Sequence, residues 1–186
     1  MRPIAEIQKL KQIVKNLTEI DYIPVLVGGK ALALLGSPRV TFDTDIVTHK
    51  IKDLASAKLL TNAMHKADLY YVNKLDESGT PIGWIDAPNV AASRIIIDKP
   101  ATLFFWNPDI EMKIDILLDF PIKASELLAT AEDKMLDKTT TIKVASLKSL
   151  KTMKEIAFKD RKKSKDLQDL EFIKGLMKSK SRGIEL

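Results

Sequence analysis

The stretch VGGKALALLGSPRVTFDTDIV, Val27–Val47, combines a Gly-Gly pair, a helix-forming run and two aspartates one residue apart. Its two glycines end a short β-branched run that begins at Tyr22. The next residues, KALALL (Lys30–Leu35), favour a helix, and the Gly-Ser-Pro that follows them is a sound helix stop. The segment VTFDTDIVT, Val40–Thr48, is rich in β-branched residues and predicts a strand. The stretch therefore runs strand, Gly-Gly, helix, turn, and a strand that carries two aspartates.

Three carboxylates are candidates for one site. Successive side chains of a strand point to opposite faces, so Asp43 and Asp45 are predicted to share a face. The segment EMKIDILL, Glu111–Leu118, predicts a second strand on which Lys113 and Asp115 share a face. If the two strands are neighbours, the three carboxylates converge and repel one another unless a divalent cation screens them. Magnesium is the expected ion, since it takes hard oxygen ligands and keeps sites for substrate phosphates.

Each of these features also has an ordinary structural interpretation. Most lone Asp-x-Asp pairs are surface strand positions or turn caps, and a lone Gly-Gly is often only a tight turn. Alternatively, glycines before a helix let backbone N–H groups approach a phosphate with no side chain in the way. The order of elements around the aspartates is far rarer than either feature alone, and it favours a functional site.

Composition limits the class of protein. A chain of 186 residues suits one globular domain with a small helical addition. It has no cysteine, which excludes disulfides and thiolate metal sites and indicates a reducing cytoplasm. The N-terminal residues predict an amphipathic helix from about Pro3 and not a signal peptide. The longest apolar stretch, residues 25–35, is too short to span a bilayer, so we expect a soluble protein with no membrane partner.

Positive charge is concentrated at the C-terminus. The net charge is +5, and residues 147–186 contain twelve Lys or Arg against six Asp or Glu. Such a block suits contact with the phosphates of a nucleotide or a nucleic acid. A solvated helical surface explains the charge about as well.

The whole pattern predicts an α+β fold, with a mixed sheet flanked by helices. The core is expected over residues 1–145, with a helical segment, residues 146–186, packed on it. Residues 51–109 carry no motif with an assigned role. Further strands are predicted at 69–72, 94–97 and 103–106. Further helices are predicted at 53–66 (with Asp53 as a possible N-cap), 123–132, 147–158 and 165–177.

The opening stretch resembles the signature of the DNA polymerase β-type nucleotidyltransferase superfamily. That signature consists of Gly-Gly or Gly-Ser, a short helix, Asp-x-Asp on a strand and a third carboxylate on a later strand. The matching residues are Gly28, Gly29, Asp43, Asp45 and Asp115. Glycine at the second position is similar to the subset with tRNA, aminoglycoside and lincosamide nucleotidyltransferases and the abortive-infection nucleotidyltransferase toxins.

The C-terminal segment extends the resemblance. SLKSLKTMKEIAFKDRKKSKDLQDLEFI, Ser146–Ile173, resembles the helical end of small bacterial nucleotidyltransferases related to those toxins. Lys154, Asp166 and Asp169 fall on that pattern. By analogy Lys154 would touch the triphosphate, and the two aspartates would order the edge of the site or hold a basic partner.

The resemblance implies a magnesium-dependent transfer of a nucleoside monophosphate from a nucleoside triphosphate. Two magnesium ions would lie on Asp43, Asp45 and Asp115, and the last would also deprotonate the acceptor. The remaining residues with an implied or possible role are Gly28, Gly29 and the helix from Lys30 against the triphosphate, Arg39 and Lys154 neutralising phosphate charge, and Thr41 as support. Arg39 is equally consistent with an ion pair to a nearby acid, and Lys154 with a solvated side chain.

The acceptor stays open at this level. A toxin-like enzyme that acts on tRNA or protein, with an antitoxin as partner, is preferred over an antibiotic-modifying enzyme. A non-catalytic nucleotide- or protein-binding module of the same fold is the other alternative, and no recognition motif supports an independent nucleic-acid-binding end. Packing is favoured over base stacking for Trp84 and Trp106. The basic run from Arg161 to Lys165 is interpreted as a solvated loop or a contact to acceptor RNA.

Overall fold

The computed structural model describes residues 2–181 and, within them, seven helices and eight strands in a single sheet. The sheet order is β4-β3-β5-β6-β2-β1-β8-β7. The elements are α1 (Arg2–Thr18), β1 (Val25–Val27), α2 (Gly28–Leu34), β2 (Thr44–Thr48), α3 (Leu54–His65), β3 (Tyr70–Leu75), β4 (Pro81–Ile85), α4 (Pro88–Asp98), β5 (Thr102–Asn107), β6 (Met112–Leu118), α5 (Ala124–Leu128), β7 (Glu132–Met135), β8 (Thr141–Val144), α6 (Leu147–Arg161) and α7 (Ser164–Ser181).

The sheet is mixed, as the α+β prediction requires. β2 runs parallel to β6 and antiparallel to β1, and β1 runs parallel to β8. The hairpin of β3 and β4 and the strand β5 extend the sheet on the β6 side by antiparallel pairing. This order places the middle of the sheet, where β6, β2 and β1 lie side by side, between two antiparallel edges.

One face of the central strands is buried and the other is half-open. On β6, Met112, Ile114 and Ile116 are buried, whereas Lys113 and Asp115 between them are partly exposed. This alternation confirms the period of two that the sequence predicts for the strand. The charged residues of β6 therefore lie on the half-open face.

The helices belong to two groups. α1 packs on α3, and α3 packs on α4 and β3. α6 and α7 pack on each other and on α2, the short helix that follows the Gly-Gly pair. The proposed division of the chain at residue 145 stays a prediction. No helix in the described part of the chain is long and apolar enough to cross a membrane.

The predicted strand over residues 94–97 is wrong, because these residues form the end of α4. Pro88 occupies the first turn of that helix, where a missing N–H costs nothing. Ala91, Ala92 and Ile95 are buried at helical spacing, and Ile97 is 71% exposed. The β-branched run was a misleading signal, since burial at helical spacing decided its structure.

The sequence did not indicate three strands, β4, β7 and β8, and they lie at or next to the edges of the sheet. β4 contains Pro81 and Gly83, both poor strand formers, and it lies at one edge, where a proline is tolerated. β7 and β8 are short, and β7 (EDKM) is highly charged. The helix predicted over 123–132 ends at Leu128, so β7 takes its last residue.

The N-terminus of α3 has the predicted cap. The Asp53 side chain accepts a hydrogen bond from the backbone N–H of Ser56 at 2.8 Å, and the Ser56 hydroxyl oxygen accepts from the backbone N–H of Asp53 at 3.0 Å. This reciprocal pair is a capping box. It fixes the start of the helix after the loop that leaves β2.

We predict that Asp53→Ala lowers the free energy of unfolding, because the backbone N–H of Ser56 loses its side-chain acceptor. Urea denaturation measures the change. Asp53→Asn is the matched control, since asparagine also caps helices well. An alanine variant as stable as the parent would contradict the prediction.

Candidate active site

Two of the three predicted carboxylates lie directly opposite each other. β2 and β6 are neighbours, and their parallel register pairs Asp45 with Asp115. Asp43 lies just before β2, which begins at Thr44, so the strand predicted from Val40 starts four residues late. The predicted convergence of Asp45 and Asp115 on one face is confirmed. Asp43 approaches them from the loop.

The Asp115 carboxylate is poorly satisfied in its surroundings. Its side chain is 15% exposed, and the nearest cation, Lys113 Nζ, lies 3.4 Å from Oδ1. That oxygen is buried and accepts no well-aligned hydrogen bond from the described residues. Burial raises the pKa of Asp115 to about 7; Lys113 opposes the shift, and the charges of Asp45 and Asp43 add to it.

Asp45 has a similar environment. Burial is the main cause that raises its pKa, and the neighbouring charge of Asp43 contributes. The positive charges of Lys154, Lys113 and Arg161 act in the opposite direction. Without a bound cation, ionisation of Asp45 and Asp115 is therefore unfavourable.

The Gly-Gly pair makes room for side chains of the site. Gly28 has φ +66°, and a Cβ there would lie 2.0 Å from Asp45 Oδ2. At Gly29 a Cβ would lie 2.5 Å from Arg39 Nη2 and 2.8 Å from Thr41 Oγ1. Both glycines are thus required by close packing, a reason that the sequence alone did not reveal. The same absence of side chains leaves the backbone at this turn bare.

The carboxylates lie in a cleft of about 490 Å³. Asp43, Asp45 and Asp115 line it together with Lys113 and Trp106. Two loops that are distant in sequence add to its lining. One is the β3–β4 turn, residues 78–81, and the other is the α6–α7 turn, which contributes Arg161, Lys163 and Lys165. The cleft therefore contains a cluster of carboxylates and a positive wall, formed by Arg161, Lys163 and Lys165.

An ion-pair network around two buried aspartates, Asp166 and Asp169, holds Arg161 of this wall. Arg39 donates to Asp169 through Nε at 2.7 Å and through Nη2 at 3.1 Å. Lys154 Nζ lies 2.7 Å from Asp169 Oδ2 and 3.3 Å from Asp166 Oδ1. Arg161 donates to both oxygens of Asp166, at 2.8 and 2.9 Å. The network joins the α2–β2 loop to α6 and α7.

Both aspartates of the network are essentially inaccessible, and each binds two cations. Burial raises the pKa of Asp166, but the hydrogen bond from Arg161 and the charge of Lys154 outweigh it and hold the pKa below its ordinary value. Asp166 and Asp169 thus each hold two basic side chains, and their role in ordering the edge of the site or holding a basic partner stays a prediction. Lys154 is buried and is not the solvated lysine of the alternative interpretation.

Of the predicted nucleotide-binding residues, Gly28 lines an adjacent pocket together with Asp45, and Lys30 does not reach the cleft. Its ammonium donates to Glu6 Oε2 of α1, and it lines a different, apolar pocket. Thr41 lies beside Gly29 and lines the cleft, as expected for a supporting residue. Arg39 also lines the cleft, and it has the ion-pair role that the sequence left as an alternative.

Several residues of the cleft were not assigned to it from the sequence. Lys163 and Lys165 lie in a run that was interpreted as a solvated loop or an RNA contact, and Trp106 was expected in packing. Side chains alternate between the two faces of β5, and this places Trp106 on the face opposite the buried Phe105. The alternation could therefore have indicated that Trp106 faces the cleft. Nothing in the sequence indicated the β3–β4 turn, because its second strand was not recognised.

The carboxylates of the cleft include oxygen donors that suit magnesium. In residues 2–181 no group of three or more His, Cys, Asp or Glu side chains is arranged so that it could hold a metal ion. Asp45 and Asp115 nevertheless have unmet negative charge, and Asp115 Oδ1 has a free lone pair in a buried position. Oxygen donors of this kind fit a hard divalent cation. The paired carboxylates thus fit the ion, and Asp43 does not complete a three-carboxylate cluster as it stands.

Comparison with known proteins defines the class of fold. No protein-family model matches the chain. No curated protein matches it either. Among solved structures, a crystal structure of an antigenic nucleotidyltransferase-like protein from Paracoccidioides brasiliensis is similar over 92% of this chain and 76% of that chain, with 16% identity and a TM-score of 0.59. The solution structure of the antibiotic-resistance factor ANT(2'')-Ia is similar over 95% of this chain and 86% of that chain, with 10% identity and a TM-score of 0.57.

A third structure, JHP933 from Helicobacter pylori, matches with 20% identity and a TM-score of 0.49 over 89% of this chain. The chain covers 63% of that protein, which is less than two thirds of its length. At these identities the neighbours show the fold alone, and the fold is nucleotidyltransferase-like. The toxin-type subfamily stays a prediction.

We predict that Gly28→Ala is more destabilising than Gly36→Ala. Both glycines have positive φ, but the space around Gly36 is empty, whereas the new methyl group at position 28 would overlap Asp45. The backbone cost is about 1 kcal/mol at each position, and the overlap adds about 1–3 kcal/mol at Gly28. Urea denaturation of the two variants measures the difference. Equal losses would show that Asp45 does not require the glycine.

We also predict that Asp115→Asn stabilises the protein at pH 8. The folded-state pKa, about 7, is above the ordinary value of 3.8, so ionisation of Asp115 disfavours the folded state. The penalty is absent below pH 4, grows as the pH rises, and is complete above pH 7. Asparagine removes it, and we expect a gain of about 1–3 kcal/mol at pH 8 and none at pH 4.

Urea denaturation in the presence of a chelator measures this gain at both pH values. Asp86→Asn is the control, because Asp86 is exposed and lies outside the cleft. A variant that is less stable than the parent at pH 8 would refute the unfavourable carboxylate pair.

Proposed function

We propose that the protein is a nucleotidyltransferase that moves a nucleoside monophosphate from a nucleoside triphosphate to an acceptor hydroxyl. The observation that carries the proposal is the direct pairing of Asp45 with Asp115 at the floor of a cleft, beside a Gly-Gly turn that has no room for a side chain. The nucleotidyltransferase-like fold supports it, since the fold neighbours include a protein described by that name.

The reaction assigns a task to each part of the cleft. The acceptor oxygen attacks the α-phosphorus, the bond to the pyrophosphate oxygen breaks, and pyrophosphate leaves. The acceptor proton would go to Asp115, whose carboxylate lines the cleft opposite Asp45. Arg161 lies on the positive wall, where it would neutralise the charge of the triphosphate. The bare backbone of the Gly-Gly turn allows the phosphates to approach.

The buried network has a positioning task in this scheme. Asp166 holds Arg161, and Asp169 holds Arg39, so both guanidinium groups are oriented before the substrate arrives. Preorganised charges stabilise a transition state without a reorganisation cost at the moment of reaction. Lys154, which bridges both aspartates, is retained as a triphosphate contact in the proposal because it lines the cleft.

Magnesium is the proposed cofactor, as two ions, and Asp45 and Asp115 would hold it together with Asp43. When bound, it would neutralise phosphate charge and the charge of the carboxylates themselves. The unmet charge of the paired carboxylates supports this part of the proposal.

The proposed acceptor is anionic or neutral: tRNA or another RNA, or a protein. An aminoglycoside is polycationic, and the wall formed by Arg161, Lys163 and Lys165 would repel it. The fold similarity to ANT(2'')-Ia therefore does not transfer an antibiotic acceptor to this chain. The toxin-like role and an antitoxin partner stay predictions, since no described feature tests them.

A non-catalytic binding module of the same fold is the competing function. An argument against it is that ionisation of the buried Asp115 carboxylate lowers the stability of the folded protein above pH 7. A module that only binds has no need of such a cost. Enzymes often retain destabilising groups where the chemistry requires them.

The proposal predicts that Asp45→Asn abolishes transfer. Purified protein, magnesium and each α-labelled nucleoside triphosphate would be incubated with bulk tRNA, cell extract or an aminoglycoside. Loss of a carboxylate that contacts the reacting groups is expected to lower the rate at least a hundredfold. Asp86→Asn is the control and should keep the parent rate. Label in RNA or in a protein band identifies the acceptor class.

Two results would overturn the proposal. One is transfer that survives in Asp45→Asn. The other is a parent protein that neither transfers label nor binds a nucleoside triphosphate with magnesium in equilibrium dialysis.

A further inference from the structure

Trp106 has a position that packing alone does not explain. It lies on β5 directly opposite Lys113 of β6, and it lines the cleft. The next residues on either side, Phe105 and Asn107, are buried, whereas Trp106 is only partly buried. Two positions away on the same face, Phe104 lies opposite Asp115 itself. An indole therefore borders the floor of the cleft close to the proposed general base.

The sheet order separates Trp106 from the Gly-Gly turn. The strands run β5, β6, β2, β1, so Trp106 and Gly28 lie on opposite sides of the Asp45–Asp115 pair. In phosphoryl transfer the attacking and leaving oxygens are in line with the phosphorus between them. If the triphosphate lies at the Gly-Gly turn, the acceptor enters from the β5 side. Trp106 is then on the acceptor side of the site.

The cations that line the cleft suit a polyanion. Lys163 and Lys165 line the same cleft and have no ion-pair partner in the described part of the chain. Lys113 Nζ lies 5.0 Å from the centre of the Phe104 ring, so a third cation covers the aromatic neighbour. An aromatic surface combined with cations that can follow a phosphate backbone is the arrangement by which proteins bind single-stranded nucleic acid.

We propose that Trp106 stacks on the terminal base of a single-stranded nucleic acid and so presents its 3′ hydroxyl to Asp115. The inference rests on the proposed function, which it deepens by naming the acceptor and the residue that selects it. Lys163 and Lys165 would contact the phosphates behind that base. A hydroxyl on a protein or a cationic sugar lacks the flat base that the indole selects.

The chain contains two tryptophans, and this makes a direct binding test possible. Trp84 is 41% exposed on the edge strand β4 and does not line the cleft, so it is the matched control. In Trp84→Phe the remaining tryptophan reports on position 106, and in Trp106→Leu it reports on position 84. A mixed-sequence RNA octamer with a free 3′ hydroxyl should quench the fluorescence of the first variant and leave the second unchanged.

Two results of this titration would overturn the inference. No response of Trp106 to the RNA would show that the indole does not touch the acceptor. Quenching by a nucleoside triphosphate alone, with no further change on RNA addition, would assign Trp106 to the donor nucleotide.

Steady-state transfer to the same RNA provides the second test. Trp106→Leu should raise the KM for RNA by roughly 5- to 150-fold, the effect of losing one base stack, and leave the KM for the nucleoside triphosphate unchanged. Trp106→Phe should restore most of the affinity, because a phenyl ring still stacks, and Trp84→Leu should have no effect. A purely structural role for Trp106 would change both KM values together and would refute the proposal.

The outcomes separate this inference from the proposed function. Transfer to RNA that is equal in the parent and in Trp106→Leu would refute the stacking role and leave the nucleotidyltransferase intact. Label found only in protein would refute the nucleic acid acceptor in the same way. A parent protein that neither binds a nucleoside triphosphate nor transfers label would refute the proposed function itself.

Discussion

The burial of two carboxylates held opposite each other is the constraint on which the rest of the site depends. Parallel pairing of β2 with β6 leaves Asp45 and Asp115 no freedom to separate along the strands. Burial makes their charge more costly, and this raises the pKa of both groups. Much of the surrounding structure can be understood as a response to this pair: a glycine where Asp45 needs room, and cations placed at the rim.

The cations at the rim need a support of their own, since six basic side chains in one cleft also repel one another. The chain supplies it through Asp166 and Asp169, which are buried in α7 and bind Arg39, Lys154 and Arg161. A buried ion pair contributes little net stability, because desolvation offsets the attraction. Its value here is geometric, as it fixes three cations from two segments, the α2–β2 loop and α6, at defined positions around the carboxylates.

The two sides of the cleft differ in chemistry, and this difference gives the proposed reaction a direction. The Gly-Gly turn offers bare backbone on the side of β1, and β5 offers an indole on the other side. Fold similarity to distant nucleotidyltransferase-like structures could not supply this distinction, because one scaffold serves many reactions. The acceptor has to be argued from the side chains that border the site.

Local sequence signals are enough to predict the fold class, the Gly-Gly turn, the two carboxylate-bearing segments and the cap of α3. These depend on local signals: β-branched runs, a period of two on β6, and a capping residue before α3. The errors of the sequence prediction also have local causes. The isoleucines of α4 were interpreted as a strand because their helical burial depends on neighbours that are distant in sequence, and β4 was not recognised because edge strands tolerate proline and glycine.

The contacts between these residues follow from the folded arrangement of the chain. Register set Asp45 against Asp115, and packing revealed that Gly28 is small because a carboxylate lies where its Cβ would be. Lys30 donates to Glu6 of α1. Lys163, Lys165 and Trp106 line the cleft instead. The physical reason is common to all of these: they are contacts between segments far apart in the chain, and no periodicity within one segment encodes the partner that the other will provide.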